Sequence, residues 1–158
     1  MSGAGAPGFT LQPMNGVRVA IIASTWHDRV MDALIANALA TCADAGVETT
    51  VVRVPGSFEL GVAAMRAARS GHFDAVVALG VIIRGGTPHF EYVSSASTDA
   101  LNQVALDTGL PVGFGLLTCD DEAQAIDRAG LPHSKENKGR EAAEAALVMV
   151  QTLRSLGW

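Results

Sequence analysis

Four apolar stretches alternate along the chain with longer stretches of helical periodicity. Residues 17–24 (VRVAIIAS), 74–83 (DAVVALGVII) and 111–118 (PVGFGLLT) are nearly continuous in small, aliphatic and β-branched residues, and 47–54 (VETTVVRV) alternates. Short continuous apolar stretches of this composition are typical of strands buried on both faces. The pattern therefore predicts four strands.

Helices are predicted between and after these strands. In 26–46, apolar side chains recur at every fourth position from Val30 to Cys42, and Gly46 ends the pattern. This spacing places the apolar residues on one helix face, and glycine is a common stop signal. Four further helices are predicted over 57–71, with Ser57 as the N-cap, and over 87–109, 121–130 and 137–157.

The order β-α-β-α-β-α-β-α-α predicts an α/β fold in which a parallel sheet is covered on both faces. Residues 1–15 are rich in small residues, Gly and Pro, so we expect a flexible N-terminal arm before a single domain over 16–158. In such sheets, ligands bind beyond the carboxyl ends of the strands. Functional residues are therefore sought in 24–28, 55–59, 82–89 and 114–119.

Composition narrows the classes of function. The 158 residues are 49% hydrophobic and 17% charged, with a mean hydropathy of +0.28. So little charge favours a homo-oligomer, although a well-packed monomer has the same composition. The net charge is −5, and the two lysines, Lys135 and Lys138, form no basic stripe, so nucleic acid is not an expected partner.

The remaining composition signals exclude further classes. Cys42 and Cys119 stand far apart in apolar surroundings, which predicts buried free thiols. The four histidines have no metal-ligand spacing, so no metal is expected. The start of the chain lacks the features of a signal peptide and no stretch is long enough to span a membrane, so a cytoplasmic protein is expected.

The stretch GVIIRGGTPHF, residues 80–90, is the most unusual strand end. Residues 80–87 read G-x-x-x-x-G-G-T, and a nucleotide-binding P-loop would require lysine where Gly86 stands. Thr87 is a suitable N-cap, Pro88 suits the first helical position, and the unpaired N–H groups of a helix start can hold a small phosphate. An ordinary strand-to-helix turn explains the same residues equally well. His89, at this helix start, is either a proton-transfer group or a structural residue.

Several strand ends together resemble one family. The stretches PGSFEL (55–60) and GVIIRGGTPHFEYV (80–93), with EAQAIDRAG (122–130) and NKG (137–139), occur in the same order as in the 6,7-dimethyl-8-ribityllumazine synthases of riboflavin biosynthesis. The resemblance runs from about residue 17 to the C-terminal helix. It implies a flavodoxin-like three-layer α/β/α fold with a four-stranded parallel sheet, and homopentamers whose active sites lie between neighbouring subunits.

The family's reaction follows from the same resemblance. It condenses 5-amino-6-(D-ribitylamino)uracil with 3,4-dihydroxy-2-butanone 4-phosphate to the lumazine, releasing phosphate and water, and uses no cofactor or metal. The resemblance makes His89 the catalytic acid–base group. It implies that the phosphate is bound by Gly86, Thr87 and Arg128, the last from the adjacent subunit. It implies that the pyrimidine and its ribityl chain are bound by Trp26, Ser57, Phe58, Glu59, Val81, Ile82, Ile83, Phe114 and Lys138.

Two departures from the family pattern bear on affinity and assembly. Many relatives carry a larger residue where Gly86 stands, so only a backbone N–H is offered to phosphate at that position. The link LPHSKEN, 131–137, looks longer than in relatives whose pentamers form icosahedral shells, which favours free pentamers.

Three other interpretations remain open at this stage. A passive lumazine or flavin binder would use the same aromatic shelf but would have no use for a phosphate turn. A flavodoxin-like redox or signalling domain would need a Ser/Thr-rich loop after the first strand or clustered acids, and neither occurs. A purely structural shell-former is the third.

Overall fold

A computed structural model describes residues 8–157. The four strands are β1 (Arg18–Ser24), β2 (Glu48–Val54), β3 (Ala75–Ile83) and β4 (Val112–Cys119). The helices are α1 (Asp28–Asp44), α2 (Leu60–Arg69), α3 (His89–Thr108), α4 (Glu122–Ile126) and α5 (Lys138–Ser155). The predicted order of elements is confirmed.

The strands form one parallel sheet in the order β2-β1-β3-β4. Alternate strand residues enter two separate cores. Ile21 and Leu79 pack with α1 and α5 on one face, whereas Ile22 and Ala78 pack with α2 and α3 on the other. This arrangement confirms the three-layer α/β/α fold. Because parallel strands share a direction, their carboxyl ends lie at the same end of the sheet. β4 is one of the two outer strands in this order.

The layer of α1 and α5 is packed closely enough to require glycine. A Cβ added to Gly139 in the first turn of α5 would lie 2.2 Å from the carbonyl oxygen of Leu34 in α1. Such a contact is far inside van der Waals distance, so glycine permits the two helix backbones to approach. This crossing sets the position of the start of α5, where Lys138 lies.

The segment before β1 is attached to the domain at its C-terminal end. Met14 is buried, and its backbone N–H donates to the carbonyl of Ala45 at 2.8 Å, while Leu11 packs against the core. Residues 1–7 of the predicted arm lie outside the described residues. The flexibility of the arm stays a prediction.

Three predicted helix details are wrong. Residues Ser57–Glu59 form a 3₁₀ turn before α2, preceded by Gly56, and the buried hydroxyl of Ser57 accepts no capping bond. Pro88, not Thr87, occupies the N-cap of α3, and no side chain caps that helix. The helix predicted over 121–130 ends at Ile126, because the following residues turn to pair with residues 136–138.

Candidate active site

A cleft of about 840 Å³ opens at the carboxyl ends of β1, β2 and β3. The end of each strand contributes to its wall, and α3 closes one side. The residues predicted from the sequence that line it are Trp26, Ser57, Phe58, Glu59, Val81, Ile82, Ile83 and His89. The chain therefore brings the predicted pyrimidine-binding segments and the predicted acid–base group together in one cavity.

The cleft has an aromatic entrance and an apolar floor. The side chains of Trp26 and Phe58 are 66% and 63% exposed, and Tyr92 from α3 adds a third exposed ring. Val81 and Ile82, at the end of β3, form apolar wall beneath them. Exposed aromatic faces above an apolar wall suit a flat heterocycle, because its ring can stack on an aromatic side chain and cover the apolar wall. Tyr92 was not singled out in the sequence, where it reads as an ordinary helix residue.

Glu59 and Trp26 converge beside Gly56. A Cβ at Gly56 would lie 3.2 Å from Oε2 of Glu59 and 3.6 Å from Nε1 of Trp26. The absent side chain leaves space in which the carboxylate and the indole N–H stand next to each other. A ligand lying against this wall meets two acceptor oxygens and one donor, which are the groups that sugar hydroxyls and ring carbonyls require.

Backbone strain occurs at the residue after Trp26. His27 is the N-cap of α1 and adopts a left-handed conformation, with φ of 63°. This conformation costs a non-glycine residue about 1 kcal/mol. The carbonyl of His27 accepts the N–H groups of Val30 and Met31, both at 3.0 Å, which holds the strained turn in place. The sharp turn brings both Trp26 and His27 to the cleft wall, and no sequence signal predicted it.

The glycine turn before α3 is open. Gly86 and Thr87 are exposed, and a Cβ added at Gly86 would meet no atom within 4 Å. Because Thr87 does not cap α3, its hydroxyl is not committed to the helix. His89 is the first residue of α3, directly after this turn. The turn therefore offers free backbone and hydroxyl donors next to an exposed imidazole.

The other predicted site residues lie in a second pocket. A depression of about 160 Å³ along β4 is lined by Phe114, Arg128 and Lys138, together with residues 115–118. It shares no lining residue with the large cleft. Phe114 is 49% exposed on this edge strand, although its sequence context suggests a core residue. Within one protomer, the predicted site is thus divided between two cavities, and Gly86 and Thr87 line neither of them.

Arg128 and Lys138 are held side by side by the backbone. The N–H of Lys138 donates to the carbonyl of Arg128 at 2.9 Å, and Nη1 of Arg128 donates to the carbonyl of Gln124 at 2.9 Å. Nζ of Lys138 lies 2.5 Å from Glu136 and 2.6 Å from Glu141. Burial alone would lower the pKa of Lys138, but the hydrogen bonds to the two carboxylates outweigh it and raise the pKa above its ordinary value. Lys138 is therefore a charged group at neutral pH.

Sequence reasoning missed Asn37, which supports this second pocket from α1. The amide of Asn137 donates to Oδ1 of Asn37 at 2.7 Å, and Nδ2 of Asn37 approaches the carbonyl of Ala129 at 3.4 Å. Asn137 itself caps α5 by accepting the N–H of Arg140 at 3.0 Å. One amide thus ties together the residues that follow Arg128 and precede Lys138. In the sequence, Asn37 is only a polar residue within an apolar helix.

The described part of the chain also shows the state of the cysteines and the results of searches for metal-ligand groups and membrane-spanning helices. Cys42 and Cys119 are buried free thiols, as predicted, and desolvation raises the pKa of both. Within residues 8–157, no group of three or more His, Cys, Asp or Glu residues is arranged to hold a metal ion. None of the helices described is long and apolar enough to cross a membrane.

Comparison with known proteins gives a consistent result. The family model described as 6,7-dimethyl-8-ribityllumazine synthase matches residues 16–154. The chain is 58% identical to the 6,7-dimethyl-8-ribityllumazine synthase of Arthrobacter sp. (strain FB24), over 98% of each chain. It is 60% identical to that of Leifsonia xyli subsp. xyli, over 99% of each chain, and 55% identical to that of Streptomyces coelicolor, over 99% of this chain and 97% of the relative. The chain belongs to the 6,7-dimethyl-8-ribityllumazine synthase family.

Proposed function

We propose that the chain catalyses the reaction for which its family is named, the penultimate step of riboflavin biosynthesis. It condenses 5-amino-6-(D-ribitylamino)uracil with 3,4-dihydroxy-2-butanone 4-phosphate, and releases 6,7-dimethyl-8-ribityllumazine, phosphate and water. Identity of 55 to 60% over nearly the whole chain supports the assignment. The observation that carries it at the site is the cleft in which an aromatic shelf, a carboxylate and a histidine meet.

The pyrimidine and its ribityl chain occupy the large cleft in this proposal. The indole of Trp26 stacks on the flat ring, and Glu59 accepts hydrogen bonds from ribityl hydroxyls beside Ser57 and Phe58. The strand end Val81–Ile83 presents backbone groups to the edge of the ring. The apolar floor and the width of the cleft support this placement, since a heterocycle with a sugar-like chain needs both stacking area and polar contacts.

The phosphate of the second substrate binds at the glycine turn. Gly86 and Thr87 supply backbone and hydroxyl donors, and the start of α3 contributes a partial positive charge. Arg128 adds a guanidinium that can hold two phosphate oxygens at once. Gly86 and Thr87 precede α3 beside His89 of the large cleft, whereas Arg128 lines the β4 pocket, and this division supports a site completed by a second copy of the chain.

The proposed assembly is a homopentamer with one site at each interface. The cleft of one subunit then faces the β4 pocket of its neighbour, which delivers Phe114, Arg128 and Lys138. Lys138, held as an ammonium by two carboxylates, lies against a carbonyl of the heterocycle. The link 131–137 favours pentamers that do not assemble into shells. The exposed apolar side chain of Phe114 on an edge strand supports an interface there.

The chemistry is a series of condensations and proton transfers. The 5-amino group of the pyrimidine attacks the ketone to form an imine with loss of one water, the imine rearranges to an enol as phosphate leaves, and the ribityl amine closes the second ring with loss of a second water. His89 is placed to carry protons between these intermediates, since it stands where the glycine turn meets the cleft. Electrons balance between the two substrates, so the reaction requires no redox cofactor.

Most of the rate enhancement in this mechanism comes from holding the two substrates together. Effective molarities of oriented reactants reach roughly 10⁵ M and above, whereas general acid–base catalysis contributes about 10² to 10⁴. The proposal also includes a cytoplasmic location, where the free thiols of Cys42 and Cys119 stay reduced.

The direct test is to mix the purified protein with both substrates and to follow lumazine fluorescence against the spontaneous reaction. Product formation well above the spontaneous rate supports the enzyme. Tight lumazine binding without turnover would instead identify a passive binder. With an active enzyme, Arg128→Ala is expected to raise chiefly the KM for the butanone phosphate. A rise confined to the KM for the pyrimidine would contradict the placement of the phosphate.

A further inference from the structure

Arg84 is the charged residue of the glycine-turn stretch to which neither the family resemblance nor the proposed function gives a task. It follows β3 directly, and its N–H donates to the carbonyl of Cys119 at 2.9 Å, which extends the pairing of β3 with β4 by one bond. The next two residues are Gly85 and Gly86. Arg84 therefore stands where regular structure ends and the glycine turn begins.

The guanidinium of Arg84 connects the two sides of the turn. Its Nε donates to Oδ1 of Asp120, at the end of β4, at 2.9 Å. Its Nη1 donates to Glu91 in the first turn of α3, and the guanidinium carbon lies 4.2 Å above the ring of Phe90. The guanidinium of Arg84 is thus held by a carboxylate on each side of the turn and by an aromatic ring at its face.

The charge on Arg84 perturbs both carboxylates. Hydrogen bonding to Arg84 is the largest cause that lowers the pKa of Glu91, and likewise that of Asp120. Both acids are thus ionised at neutral pH. All three side chains remain substantially exposed, Arg84 at 43%, so the cluster contributes little to global stability. Its effect is local and concerns the geometry of the turn.

The turn between these contacts has little else to fix it. Gly85 and Gly86 have wide conformational freedom, and an added Cβ at either would meet no atom within 4 Å. In the described chain, α3 has no side-chain cap, so Thr87 does not anchor the turn to the helix. His89 lies between the turn and the two residues of α3 that Arg84 contacts, Phe90 and Glu91.

We infer that Arg84 is a positioning residue that holds the glycine turn and the start of α3 in register, so that the phosphate donors and His89 face the same ligand. This inference rests on the proposed function, since it names what orders that site. Arg84 does not contact the substrate in this assignment; its Nε and Nη1 donors are directed at Asp120 and Glu91. A misplacement of about 1 Å in a reactive group can cost as much as 10²-fold in rate, so a loosened turn has a measurable effect.

The test compares Arg84→Gln, Arg84→Lys and Glu91→Gln with a matched control. Arg154→Gln removes an arginine of similar exposure, 47%, that pairs with Asp74 at 3.8 Å. Asp74 precedes β3, at the opposite edge of the sheet from the turn. Steady-state kinetics with each substrate varied are combined with the inhibition constant of inorganic phosphate, the phosphate Kd from calorimetry, and thermal unfolding.

Arg84→Gln is expected to raise the KM for the butanone phosphate and the phosphate Kd by roughly tenfold and to lower kcat, with the KM for the pyrimidine within about twofold of the wild type. Arg84→Lys keeps the positive charge but not the planar guanidinium that contacts both carboxylates. Its constants are expected to lie between those of the wild type and those of Arg84→Gln. Glu91→Gln should act in the same direction as Arg84→Gln, since either change releases the start of α3. Arg154→Gln should leave all of these constants unchanged.

Opposite responses of the two partners would overturn the inference. If Arg84 bound phosphate directly, Glu91→Gln would free its guanidinium and tighten phosphate binding, while Arg84→Gln would weaken it. Unchanged constants in Arg84→Gln would also refute a positioning role. If the proposed function is wrong, the wild-type protein forms no lumazine. In that case the phosphate Kd values of the variants still decide the role of Arg84.

Discussion

The division of the predicted site between two cavities leads to a quantitative prediction for mixed assemblies. One variant, His89→Ala with Trp26→Ala, is deficient in the cleft but keeps the β4 pocket, whereas Arg128→Ala is deficient in the pocket but keeps the cleft. When the two chains assemble at random in equal amounts, about a quarter of the interfaces combine an intact cleft with an intact Arg128. Mixed assemblies should therefore show about a quarter of wild-type activity.

The expected difference in activity between mixed and homogeneous assemblies follows from the interactions that each variant can no longer make. Removal of a guanidinium that makes two charge-assisted hydrogen bonds to phosphate costs about 3 kcal/mol, or roughly 10²-fold in kcat/KM. Loss of the acid–base group costs a similar factor or more. Each homogeneous variant therefore retains about 1% of wild-type kcat/KM, and the mixed assemblies exceed either by roughly 25-fold.

The assay measures lumazine fluorescence at butanone phosphate concentrations far below KM, where kcat/KM determines the rate. Co-expression of the two chains with different affinity tags, followed by purification on both, isolates the mixed assemblies. Homogeneous assemblies of each variant, combined without subunit exchange, are the control and should stay near 1%. If mixed assemblies also stay at that level, both cavities serve sites within a single chain and the shared site is refuted.

Four further substitutions separate catalysis, packing and ionisation. His89→Ala should lower kcat by about 10² to 10⁴ yet leave measurable turnover; complete loss in a folded assembly would contradict the emphasis on substrate positioning. Gly86→Ala should melt within a few degrees of wild type, because the added Cβ meets no atom within 4 Å. Gly139→Ala should lose about 3 kcal/mol of unfolding free energy or fail to fold, since its Cβ would lie 2.2 Å from the Leu34 carbonyl oxygen. Equal unfolding free energies of the two variants would refute this packing. Burial raises the pKa of Cys42 from 9.0 to about 11. The buried neutral thiol therefore contributes its full free energy of stabilisation below pH 9, and about 2 kcal/mol of it is lost by pH 11. Cys42→Ala should flatten that part of the curve of Tm against pH, and an equally steep variant curve would assign the loss to other groups.

The order of elements was predictable because it depends on local patterns of apolar residues. Continuous stretches of Val, Ile and Ala are long enough for buried strands, and the intervening periodicity fits helices of several turns. One of the errors arose where nonlocal contacts decide the outcome. The helix predicted through residue 130 stops at Ile126, because Asp127 and Arg128 use their carbonyls to accept the N–H groups of Glu136 and Lys138.

The candidate site was predictable in part. The glycine turn and His89 stand out by composition alone, since glycine, threonine and proline follow an apolar strand. Arg128 came only from the family resemblance, because a charged residue on a short polar helix has no distinguishing pattern. Asn37 gave no signal, since it acts on residues about 100 positions away, through a bond from Asn137.

In the proposed pentamer, these long-range contacts hold the two half-sites in place within each chain. Asn37 fixes the segments that carry Arg128 and Lys138 from α1, and the crossing at Gly139 sets the start of α5. The cleft is instead ordered by the ends of β1 to β3, with Arg84 bridging β4 and α3. Both halves are organised before any partner arrives, because each depends on contacts within its own chain. Association in the proposed pentamer then brings the cleft of one chain against the β4 pocket of its neighbour, and substrate geometry is set by how the two surfaces meet.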